Sequence, residues 1–159
     1  MFFILLFFGT LFVTRTASEL PAAVASHFDA GGRPNAFMSH GGYIRFALFL
    51  AVGLPLLVVA ILSTVYARAA KLKLPNSDYW LAPQRLARTR AFLLAHGAWF
   101  GSLLVILACS VHWLELGANR MQPPHLSNQA VATVLFGFLF ATALWVAALM
   151  FAFRRPAGG

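Results

Sequence analysis

Apolar residues gather in long uncharged runs separated by short polar stretches. Phe46 to Ala67 carries no charge and is interrupted only by Gly53 and Pro55. Ala91 to Leu114 holds His96 and His112 but no full charge, and Ala130 to Phe153 is broken only by Gly137. Each meets the length of about 20 mostly apolar residues that a helix needs to cross the hydrocarbon core. A fourth run, Phe2 to Val13, covers only about 18 Å at 1.5 Å per residue. It reaches Thr16 or Ala17 if Arg15 snorkels to the headgroups. With no basic residue ahead of it, this run reads as a retained helix rather than a cleaved signal peptide. The pattern predicts an all-α membrane protein, one integral-membrane domain over 1–159 with four transmembrane helices at about 2–17, 46–67, 91–114 and 130–153. The loops between them are 18–45 and 115–129 on one side and 68–90 on the other. Pro55 is expected to kink the second helix.

Composition strengthens that reading. Of 159 residues, 60% are hydrophobic and 10% charged, with a mean hydropathy of +0.77. Soluble domains run at about 25% charged, so a soluble enzyme, a disordered tail and a disulfide scaffold are excluded. The net charge of +8 divides unevenly. Arg68, Lys71, Lys73, Arg85, Arg88, Arg90, Arg154 and Arg155 fall on one side with Asp78. Arg15, Arg33, Arg45 and Arg120 fall on the other with Glu19, Asp29 and Glu115. Basic loops stay cytoplasmic, so both termini and loop 68–90 are expected inside the cytoplasmic (inner) membrane of a bacterium. The basic surplus reports orientation and needs no nucleic acid. Cys109 is the only cysteine and reads as a small buried hydrophobe.

Loop 18–45 is the most distinctive stretch. Pro21 to Phe28 has helix formers after a proline and predicts a short interfacial helix. Asp29-Ala-Gly-Gly-Arg-Pro-Asn35 is dense in turn residues. Leu20-Pro21, His27-Phe28-Asp29 and Gly32-Arg33-Pro34-Asn35, followed by a proline-containing apolar helix, resemble domain of unknown function 1648. That module also occurs at the N-terminal end of SdpI-like toxin-immunity proteins. The resemblance implies a small bacterial membrane protein with no established catalytic activity, with an interaction loop at Leu20, Pro21, His27, Phe28, Asp29, Gly32, Pro34 and Asn35. Immunity or signalling is the role it implies.

Elsewhere, Tyr79, Trp80, Pro83 and Arg85 form an aromatic and basic group suited to the headgroup layer. Gly97 and Gly101 form a G-x-x-x-G pair that lets helices approach closely. His112, Glu115 and Asn119 share one face of a helix, at i, i+3 and i+7. His27, Asp29, His112 and Glu115 lie on one side of the membrane, and their imidazoles and carboxylates are of the ligand types that bind zinc. The spacing matches no standard metal motif, however, and the chain has no P-loop, G-x-G-x-x-G, S-x-x-K or C-x-x-C. No cofactor is expected. The leading expectation is a non-enzymatic binding or accessory module whose partners are membrane lipid and either another protein or a second copy. The alternative is a metal-dependent membrane enzyme or small transporter using the outer histidines and acids. For the orientation, cysteines introduced as Ser39→Cys and Ser77→Cys separate the two faces. A membrane-impermeant maleimide applied to intact cells should label position 39 and leave position 77 unmodified; the reverse labelling would invert the topology.

Overall fold

The structure, a computed structural model, describes residues 1–68 and 74–154. Lys71, Lys73 and Arg155 of the orientation argument lie outside the described residues. Helix α1 spans Phe2–Ala17, strands β1 and β2 span Ala23–Phe28 and Pro34–Ser39, and helix α2 runs His40–Ala67. A single turn, α3 (Ser77–Trp80), precedes the long helix α4 (Pro83–Asn119), and α5 (Asn128–Ala152) closes the chain. Three helices, α2, α4 and α5, are long and apolar enough to cross a membrane, while α1 is a shorter apolar helix.

The architecture departs from an all-α fold at one place. Loop 18–45 is structured, but as an antiparallel hairpin of β1 and β2 instead of a helix. The helix expected over Pro21–Phe28 is therefore corrected to a strand. Its intrinsic helix preference is a weak prior that tertiary pairing overrides. Asp29 Oδ1 accepts from the amides of Gly31 (2.8 Å) and Arg33 (2.9 Å), fixing a tight turn that brings Pro34–Ser39 back beside β1. Gly32 sits at φ +76°, and a Cβ there would lie 2.2 Å from the Leu126 carbonyl oxygen. Only glycine meets both demands.

The long helices also outrun their apolar cores. α2 begins six residues before Phe46, with Ser39 as its N-cap accepting from the Gly42 amide, as short hydroxyl side chains do at helix starts. α4 extends from Pro83 to Asn119, beyond both ends of the 91–114 run. Within α2 the expected break takes the form of a π-helical turn, Phe49–Gly53, in which the Leu54 amide bonds back to the Phe49 carbonyl. Pro55, which has no amide to donate, follows directly. Gly53 leaves room for the Phe49 ring, whose Cδ2 would be 2.9 Å from a Cβ at that position.

α4 is the hub, packed against α1, α2 and α5 and touched by β1. The buried core is thin and divides in three. At the hairpin end Val13, Ala17, Leu20, Val24, Tyr43 and Leu116 join α1, β1, α2 and α4. Phe2, Leu6 and Val105 form a middle cluster, and Tyr66, Leu93 and Phe153 close the other end. Large apolar side chains point outward instead: Phe3 is 75% exposed and Phe136 69%, and no residue of α5 is buried. Such an exterior suits hydrocarbon. Where lipid replaces water as the solvent, helices associate through close packing and small residues.

Gly97 and Gly101 serve that close packing inside the chain. A Cβ on Gly97 would approach the Tyr66 ring to 3.1 Å, and one on Gly101 would lie 2.4 Å from Val59 Cγ2 and 2.8 Å from the Phe2 ring. Gly101→Val should therefore force α1 and α2 away from α4 and cost about 1–3 kcal/mol, the usual range for overpacking. Gly137→Ala, where nothing lies within 4 Å, should leave the unfolding midpoint in detergent unchanged.

Candidate functional site

Polar side chains are costly inside an apolar bundle unless they bond to one another. At the hairpin end four do so in a chain that crosses three helices. Tyr43 of α2 is 0% exposed and His112 of α4 is 2% exposed. The Tyr43 hydroxyl donates to Glu115 Oε2 at 2.7 Å and lies 2.8 Å from His112 Nδ1. His112 Nε2 lies 2.8 Å from Thr16 Oγ1 of α1, which also donates to the Phe12 carbonyl at 2.7 Å. The Phe12 ring meets the imidazole edge-on, with centroids 5.5 Å apart.

Counting protons shows what this chain does chemically. A tyrosine hydroxyl has one proton and a threonine hydroxyl has one. With Tyr43 donating to Glu115 and Thr16 donating to Phe12, both imidazole nitrogens must donate, and an imidazolium is bridged to a carboxylate through the tyrosine oxygen. If Glu115 instead holds the proton and donates to Tyr43, the tyrosine donates to His112 Nδ1 and both ends are neutral. The two arrangements contain the same number of protons and need no movement of heavy atoms. The chain therefore accommodates either proton placement without rearrangement. It stays at one end of the bundle: His96 is engaged separately with α5, its Nε2 3.1 Å from the Trp145 carbonyl while the Trp145 indole donates to the His96 carbonyl at 2.9 Å.

The same face of α4 also fixes the hairpin. Asn119 donates to the Ala25 carbonyl at 2.9 Å and accepts from the Ala25 amide at 2.8 Å. Its carboxamide thus stands beside β1 as a neighbouring strand residue would, closing that edge of the ribbon. Around it the Leu126 amide donates to the Gly32 carbonyl at 2.9 Å and the Asn128 side chain to the Ala30 carbonyl at 2.7 Å. Arg120 pairs with Glu19, the only ion pair among the described residues. His40 Nδ1 lies 3.1 Å from the Leu20 carbonyl oxygen.

The residues of the interaction loop are brought together here, in structural roles. Leu20 is buried, Asp29 and Gly32 make the turn, Pro34 opens β2, and His27 Nδ1 meets Asn35 Oδ1 at 2.5 Å. Pro21 lies ahead of β1, and Phe28 ends it, paired with Pro34. The four candidate metal ligands are not assembled into one site. His27 is exposed on the hairpin and Asp29 is used in its turn, whereas His112 and Glu115 are bonded within the buried chain. Among the described residues no three His, Cys, Asp or Glu side chains converge on a point where an ion would sit.

Sequence reasoning found His112, Glu115 and Asn119 but missed Tyr43 and Thr16. Both are hydroxyl residues near the ends of apolar helices, at the depth that the apolar runs assign to His112. Matching polar residues by depth across helices was the available signal. No protein family model, no curated protein and no solved structure matches the chain.

Removing the bridging hydroxyl leaves Glu115 without its tyrosine partner and buried His112 without one of its two partners. Tyr43→Phe should cost about 1–3 kcal/mol, the penalty for leaving buried partners unpaired. In a double-mutant cycle with His112→Ala, measured by chemical unfolding in detergent, the combined loss should fall short of the sum of the single losses.

Proposed function

We propose that this chain is a non-enzymatic binding module of the bacterial cytoplasmic membrane, with both termini inside and α1 as a fourth apolar segment beside the three full-length helices. Its recognition element is the β1–β2 hairpin. One observation carries this reading: the polar groups at the hairpin end are spent on holding the ribbon still, while its outer strand stays free. Asn119 occupies the edge of β1, but Asn35, Ala36 and Phe37 of β2 are exposed, Phe37 to 57%. A rigid ribbon with one open edge and an aromatic anchor suits a partner segment that adds as a further strand. Pro34 at the start of β2 is a feature of edge strands. The resemblance to SdpI-like proteins makes immunity or signalling one form of this role, and accessory subunit of a larger membrane complex another.

A second reading, a small proton-coupled transporter, draws on one observation. Glu115 belongs to the hydrogen-bonded chain of Tyr43, His112 and Thr16 and also lines a mostly apolar cavity of about 200 Å³ between α4 and α5. Under the binding-module reading, Glu115→Gln leaves partner capture intact, whereas a transporter loses its coupled uptake.

The binding-module reading is tested with a photo-crosslinking phenylalanine analogue placed at position 37 and, separately, at the apolar surface position Phe140 of α5. Irradiation of native membranes should give a discrete protein adduct at 37 that is absent at 140. Lipid adducts alone at both positions would overturn the assignment.

A further inference from the structure

A second assembly lies at the opposite end of the bundle, away from the hairpin. Arg85, Arg88, Thr89 and Phe92 fall at i, i+3, i+4 and i+7 on α4, one face of the helix. They border a cavity of about 330 Å³ walled by Tyr79 and Trp80 and floored by Phe153. The Arg85 guanidinium lies 3.8 Å from the centroid of the Tyr79 ring. That stacking orients the planar group and leaves its N–H edge free for an anion. The other polar groups are already committed: the Trp80 indole donates to the Phe153 carbonyl at 3.1 Å and the Thr89 hydroxyl to the Trp80 carbonyl at 2.8 Å. Arg85 and Arg88 have no carboxylate partner among the described residues. The cavity therefore offers two exposed guanidinium groups.

Phe92 is shared with a second, larger opening. A groove of about 500 Å³ follows the seam of α4 and α5 past Ala95, Trp99, Ala141, Leu144 and Ala148. It exists because this seam sets small residues of α5 opposite α4. From Phe92 to Leu103 it runs about 16 Å at 1.5 Å per residue, close to half of a hydrocarbon core about 30 Å thick. A cationic pocket that shares Phe92 with an adjoining, mostly apolar groove one leaflet deep has the polarity of a phospholipid, headgroup beside acyl chain.

We infer that Arg85 and Arg88 bind the headgroup of an anionic phospholipid whose acyl chain lies in the α4–α5 groove. Two guanidinium groups recognise a phosphodiester by paired N–H donation, and the apolar groove offers the acyl chain a place that a free phosphate would leave unfilled. This site is independent of whatever the hairpin recognises.

Native mass spectrometry of the full chain in detergent provides the test, using phosphatidylglycerol and phosphatidylcholine of identical acyl composition. The protein should retain phosphatidylglycerol about tenfold more tightly, in keeping with the attraction of basic residues for anionic lipid. Arg85→Gln/Arg88→Gln should abolish that preference. Arg68→Gln/Arg154→Gln, which removes the same charge from exposed positions outside the cavity, should preserve it. Equal binding of the two lipids by the unmodified protein would overturn the site. So would equal loss in both double variants, which would reduce the effect to general charge attraction. Displacement of bound phosphatidylglycerol by millimolar inorganic phosphate would replace the lipid with a free anion.

Discussion

A single tyrosine hydroxyl, bonded on both sides in a water-excluded interior, sets the arrangement of the hairpin end. Tyr43 brings α2 to His112 and Glu115 of α4, and His112 carries the connection on to Thr16 of α1. Three helices that already share one buried apolar cluster thereby acquire a fixed mutual position. Hydrocarbon surroundings give the bonds their importance, because an unpaired hydroxyl or carboxyl has no water to turn to. From this anchored end of α4, one more turn of helix brings Asn119 to the backbone of β1.

The two ends of the molecule therefore differ in how they are held. The hairpin end is fastened by side-chain chains, backbone bridges and one ion pair. The opposite end depends more on aromatic packing: Trp80 and Phe92 each meet Phe153 edge-on, at 5.6 and 5.7 Å between centroids. Between them α5 rests on α4 with its large side chains turned outward. A seam of this kind leaves space that lipid can enter, whereas α4 meets Tyr66 and Val59 of α2 and Phe2 of α1 closely at Gly97 and Gly101.

Much of this was legible from hydropathy alone, since three uncharged runs in the chain correspond to α2, α4 and α5. The stripe of His112, Glu115 and Asn119 was legible because helical periodicity puts them on one face. The strands were not, because Ala23–Phe28 lacks clean alternation and has only Val24 and Phe28 as strong β-formers. Its burial is irregular, and the pairing slips near Ala25 and His27. The decisive signal, the Asp29–Gly32 turn, specified a reversal without specifying what flanked it. The helix starts at His40 and Pro83 were equally hidden, because hydropathy marks where a helix meets lipid and not where its hydrogen bonds stop. Tyr43 and Thr16 escaped because their partner lies on another helix, and no local spacing encodes that.

The π-helical turn in α2 decides more than a local bend. At about 100° per residue, Tyr43 and Tyr66 on an unbroken α-helix would point roughly 140° apart, and only one could face α4. The extra residue taken up between Phe49 and Gly53 removes about one such step and returns the two to nearly the same azimuth. Tyr43 then reaches His112 while Tyr66 packs against Leu93 and Gly97. The turn thus works as a phase correction, putting two half-helices in step with one straight partner. A chain lacking one residue in this segment would hold both tyrosines in register on a regular α-helix, whereas this chain with the π turn straightened would keep only one.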